Sequence, residues 1–99
     1  MQTGNAELHG FSHLYLAEAL YQQNEETEAL YHGCLAMYLL EQRGATEWRQ
    51  AAGIVSIIQG KRSAEEFDQA LQARRSDTIG LIGVDGFDHL PRLLEQYRQ

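Results

Sequence analysis

Four side chains of this sequence are the usual candidates for metal or nucleophile chemistry: His9, His13, His32 and Cys34. His9 and His13 stand four apart and share one face of a helix, a spacing used in metal sites. Gly10 follows His9, however, where the zinc-protease motif has glutamate. His32 and Cys34 are two apart and point to different sides of a helix. Cys34 lies among Leu30, Met37 and Tyr38 and reads as a small core residue. A Cys–His nucleophile needs a thiol made acidic by its surroundings, and a mid-helix cysteine on an apolar face has no such neighbour. The carboxylates do not converge by spacing: Glu18 and Glu47 are scattered, and Glu25, Glu26 and Glu28 read as a solvated first turn. Gly80 to Gly86 is glycine-rich but lacks the preceding strand of a phosphate cradle, so it reads as a helix stop and a turn. Asp85 and Asp88 do not have the alternating ligands of a calcium loop and are expected to cap the last helix. The expectation is no catalytic residue, no metal, no cofactor and no enzymatic activity.

Amphipathic helices must carry whatever these residues do. Phe11, Leu14, Tyr15, Ala17, Leu20 and Tyr21 recur at helical spacing. Asn5 can cap this helix, Gly10 either interrupts it or is run through, and residues 1–5 read as a loose lead-in. Asn24 is expected to cap a second helix from Glu25 to Gln42, with acids in its first turn and a stop at Gly44. Thr46 is expected to cap a third, which carries Trp48, Ala51, Ala52, Val55 and Ile58 and ends at Gly60. Lys61 and Arg62 fall beside its negative end. Both central helices read as apolar on more than one side, hence as the hub of the domain. Ser63-Ala64-Glu65-Glu66 has the spacing of a capping box for a fourth helix with Phe67, Ala70, Leu71 and Arg74. Ser76 and Asp77 offer a cap for a short helix, Thr78 to Ile82, ended by Gly83. A last helix starting near Asp85 or Asp88 puts Pro91 in its first turn and Phe87, Leu90, Leu94 and Tyr97 on one face.

The predicted class is therefore all-α, with antiparallel helical hairpins followed by C-terminal capping helices. Residues 1–99 form one domain, with two hairpins over 11–75 and the C-terminal helices over 76–99. Ninety-nine residues suffice for one modest core. A single cysteine excludes an intrachain disulfide and fits a reducing compartment, and the first residues lack a basic segment followed by an apolar run. A cytoplasmic location is the expectation. No apolar run approaches membrane-spanning length, so no membrane is expected as a partner. The net charge is -6, and the short basic pairs Lys61-Arg62 and Arg74-Arg75 are flanked by acids. Nucleic acid, which needs a basic stripe, is not expected.

The central helices resemble tetratricopeptide repeats, helix-turn-helix units with small and large apolar residues at fixed offsets. Leu16-Ala17, Leu20, Ala29, Gly33 and Ala36 stand close to those positions, and Ala51, Ile54, Phe67 and Ala70-Leu71 echo them in part. Leu35 to Gly44 is similar to the lengthened second helix of bacterial variants. Ile82 to Phe87 resembles the end of some cyanobacterial-type repeat proteins. The signature tryptophan and the terminal proline of the repeat are missing at the expected places. The resemblance implies a scaffold for binding proteins or peptides. Two repeats fall short of the usual three, so either the C-terminal helices cap the array or chains pair.

Helices apolar on two faces offer more surface than a chain this small can cover. The expected partner-binding residues are Tyr15, Leu16, Tyr31, Leu35 and Tyr38, around the first hairpin. Glu18, Glu25 and Glu28 are expected at the rim. The expected function is a protein-interaction or adaptor module for a protein or peptide partner. The alternative is a small self-associating regulatory or structural subunit, a homodimer.

Overall fold

The first helices stop where two residues leave the right-handed region. The computed structural model describes residues 5–99, with side chains from His9 onward. Helix α1 spans Asn5–Gln22 and α2 spans Glu26–Gln42. Asn24 has φ 65° and Gly44 has φ 73°. Beyond each helix the chain closes the same motif. The Glu25 N–H donates to the Leu20 carbonyl at 2.9 Å, and the Ala45 N–H to the Leu40 carbonyl at 3.0 Å. These bonds satisfy carbonyls that the helix end would leave open. Asn24 therefore ends α1 and does not cap α2, whose cap position is held by Glu25 without a side-chain bond. Helix α1 runs straight through Gly10. It already includes Asn5; residues 1–4 and the side chain of Asn5 lie outside the described set.

Helix α3 spans Trp48–Gly60, α4 spans Ala64–Ala73 and α5 spans Arg75–Arg98. Thr46 lies in a tight turn before α3, and no side chain caps that helix. The capping box of α4 is complete: the Glu66 N–H donates to Ser63 Oγ at 3.1 Å, and the Ser63 N–H to Glu66 Oε1 at 3.0 Å. Helix α5 starts directly at Arg75, not after a Ser76 or Asp77 cap. It is broken at Gly83 (φ 80°, ψ 168°), a conformation open to glycine. Pro91 lies inside the second half of α5 and not in its first turn. The Phe87 carbonyl there receives no helical bond from position 91, because proline has no N–H.

Helix α2 is the hub and packs on all four others. It buries Ala29, Leu30, Gly33, Cys34, Leu35, Ala36, Met37 and Leu40, residues spread over most of its circumference. The start of α1 meets the end of α2, with Gly10 against Leu40, and Ala17 lies by Gly33. Helix α3 is not a second hub. Its buried Ala51, Ala52, Val55 and Ile58 lie in one stripe, and Ile57 is exposed. At about 100° per residue that set, with Trp48, fits within an arc of about 120°. Trp48 itself is only half-buried. Helices α3 and α4, neighbours in sequence, do not pack along each other; α4 rests on α2 and α5.

Ion pairs fasten the turns to the start of α2. Lys61 Nζ is 2.9 Å from Glu26 Oε2, Arg62 Nη2 is 3.4 Å from Glu26 Oε1, and Arg74 Nη1 is 2.7 Å from Glu28 Oε2. Glu26 and Glu28 are thus paired residues and not a merely solvated first turn. The hydrogen bond from Lys61 holds the Glu26 carboxyl below the usual range. No helix among the described residues is long and apolar enough to cross a membrane.

Candidate functional site

A cleft of about 320 Å³ opens where α4 and the second half of α5 meet over α2. Its floor is Cys34 of α2, Phe67 of α4, and Leu90 and Leu94 of α5, all 6% exposed or less. The capping box fixes the first turn of α4 and so the position of Phe67 one turn on. Leu90 and Leu94 share a face by their spacing of four. Ala64, Leu71 and Pro91 form the walls. The rim is polar: Gln59, Asp68, Glu95 and Arg98. The Arg98 guanidinium donates to Gln59 Oε1 and joins the ends of α5 and α3 at one side of the cleft. Gln59 is neutral, so Arg98 keeps its charge, and Asp68 and Glu95 outnumber it to give the mouth a small net negative charge. Apolar clefts with a few polar groups, from about 300 to 1,000 Å³, are the usual shape of binding sites; this one is at the small end.

The buried Cys34 thiol is pushed up to about 12 by desolvation. At neutral pH it keeps its proton and forms an uncharged part of the cleft floor.

The five residues expected to bind a partner are not gathered on one surface. Tyr15 and Leu16 are 62% and 43% exposed on the outer side of α1. Leu35 is fully buried. Tyr31 is half-buried under Arg74, whose guanidinium carbon is 3.8 Å from the ring centroid. Tyr38 is half-buried, edge-on to His89 of α5. The tyrosines of α2 therefore pad helix contacts, and only Tyr15 and Leu16 remain as open apolar surface of this set. Of the expected rim, Glu28 is paired with Arg74, Glu18 is half-buried and Glu25 is exposed. The cleft was not legible in the sequence, because its floor comes from three helices whose packing order is not the chain order.

The histidines are arranged differently from a metal set. Among the described residues no group of three or more His, Cys, Asp or Glu is placed to hold a metal ion. Cys34 is turned into the cleft floor, away from any role beside His32. His13 of α1 and His32 of α2 meet with their Nδ1 atoms 2.8 Å apart. Their rings stack at 5.0 Å between centroids and 23° between planes.

No family model, curated protein or solved structure matches the chain.

Proposed function

We propose that this chain is a protein-interaction module of helical-repeat type and not a catalyst, and that it holds an apolar side chain of a partner segment in the α4–α5 cleft. The cleft carries the reading: an apolar floor, small volume and acidic rim fit one bulky apolar residue flanked by lysine or arginine. The net charge of -6 favours the same basic partner. On this reading α1 and α2 form an antiparallel hairpin of tetratricopeptide-like type. The remaining helices close its open side and provide the groove.

Fluorescence anisotropy tests it with a labelled short peptide that has tryptophan between lysines. Binding is expected to weaken with salt. It is expected to be lost when the tryptophan is replaced by serine or the lysines by glutamates. Ala64→Trp places an indole at the cleft wall from an exposed position and should abolish binding without unfolding the chain. Equal binding by the blocked variant or by the serine peptide contradicts the reading.

Self-association is the second reading, favoured by the exposed neighbours Tyr15 and Leu16. Molar mass in solution across concentration separates the two, since a dimer through α1 responds to Tyr15→Ser and not to Ala64→Trp.

A further inference from the structure

The His13–His32 contact joins α1 to α2 on a side of the molecule that the cleft does not use. We infer that this pair is an acid-sensitive latch: it holds α1 on α2 while at least one imidazole is neutral, and releases α1 when both are protonated. A contact of 2.8 Å between two Nδ1 atoms needs one N–H and one lone pair. His32 Nε2 lies 3.9 Å from Glu28 Oε1. At that distance Glu28 is an electrostatic neighbour of His32 and not a hydrogen-bond partner, so either imidazole can be the donor at Nδ1. One added proton leaves a hydrogen bond possible, because the imidazole that stays neutral can present Nδ1 as acceptor. A second proton puts N–H groups on both facing nitrogens. The bond is then lost, and two like charges face each other on half-buried rings.

The groups around the pair do not prevent this. On α1, His9 lies one turn before His13 and opposes its charge. On α2, Glu28 favours charge on His32, and the Tyr31 ring stands edge-on to His32 at 5.0 Å. From the junction of α4 and α5, Arg74 opposes charge on His32 and draws on Glu28 at 2.7 Å and Asp77 at 3.0 Å. On α3, Arg49 is turned to Trp48 and Tyr97 instead. Burial is the largest effect on both imidazoles, and both are held below the ordinary 6.5.

With α1 open, both rings return to water and titrate normally. Opening therefore takes up protons as the pH falls below 6.5. The open population should grow about tenfold per pH unit for each proton taken up. Opening bares Leu14 and Ala17 of α1 and the Gly33 side of α2.

Residue-resolved amide hydrogen exchange on the full chain tests the latch, at about pH 7.5 and about pH 5 with intrinsic rates corrected. Residues 14–20 of α1 should lose about tenfold or more protection beyond that lost by residues 55–58 of α3. Equal loss in both helices overturns the latch. A double variant, His13→Asn with His32→Gln, keeps a polar pair that does not titrate, and the difference should vanish. A difference that persists in the folded double variant overturns it too. If the double variant does not fold, nitrogen NMR of the wild-type imidazoles decides. Titration of both rings below the unfolded value, together with the loss of α1 protection, supports the latch. Independent titration near the unfolded value with α1 still protected overturns it.

Discussion

A methyl group built on Gly33 of α2 would lie 3.0 Å from Val55 Cγ2 of α3, so the two helices touch through a bare backbone. Val55 is fully buried and, being β-branched, has one favoured rotamer in a helix. It cannot move aside. Gly33→Ala gains up to about 1 kcal/mol of helix propensity and loses about 1–3 kcal/mol to overpacking. A net destabilisation is expected. At Gly80 an added methyl meets nothing within 4 Å, so Gly80→Ala should stabilise by a few tenths to about 1 kcal/mol. Urea unfolding of both variants measures the pair. The same sign for both would mean that α2 and α3 do not approach as described.

The Ser63 capping box should contribute about 1 kcal/mol. Ser63→Ala removes the acceptor for the Glu66 N–H, and a loss of about 0.5–2 kcal/mol is expected in thermal or urea unfolding. Because α4 provides Phe67 to the cleft floor, the variant should also weaken any ligand of the cleft. An unchanged midpoint would place the start of α4 elsewhere.

Trp48 is half-buried, with the Arg49 guanidinium 5.3 Å from its ring centroid. Trp48→Ala should therefore cost less than the about 3–5 kcal/mol of a fully buried tryptophan, whereas Leu40→Ala, in a fully buried position of α2, should cost about 2–5 kcal/mol. Native tryptophan emission should be that of a partly wetted indole. A Trp48→Ala loss larger than that of Leu40→Ala would move the hub from α2 to α3.

Cys34 provides a prediction at high pH. Its thiol titrates at about 12 when folded against 9.0 for the free group. Between these values the unfolded chain carries the thiolate while the folded chain keeps its proton. The unfolded state then binds fewer protons, so stability should fall as the pH rises above 9.0. Cys34→Ala removes this part of the pH dependence. Thiol reagents that enter the cleft should react slowly with native protein at neutral pH, because the thiol keeps its proton there. Rapid labelling of all molecules at neutral pH would show the thiol to be ionised.

The local signals of the fold were legible because they depend on near neighbours. The Ser63–Glu66 box and the stops at Gly44, Gly60 and Gly83 each rest on residues within one turn. Asn24 misled because asparagine serves equally as a helix start and as a left-handed stop, and the spacing of its own residues does not choose. Pro91 misled because proline fits the first turn best, while here packing of Leu90, Leu93 and Leu94 carries the helix through it. The hub was half legible: the apolar residues of α2 go around the helix, whereas those of α3 form a wide stripe. Leu35 looked equal to Tyr31 in the pattern, and only packing separates the fully buried side chain from the half-buried one. The His13–His32 contact joins residues nineteen apart. It needs the register of α1 on α2, which no spacing within one helix contains.

The most direct test of the central claim, that the α4–α5 cleft is the binding site, is a shift map from heteronuclear NMR during titration with the lysine-flanked tryptophan peptide. The account predicts that the amides of Phe67, Leu71, Leu90 and Leu94 shift most and in proportion to occupancy, with Tyr15 and Leu16 unchanged. Shifts confined to α1 around Tyr15 and Leu16, or no shift at the cleft at saturating peptide, would contradict it.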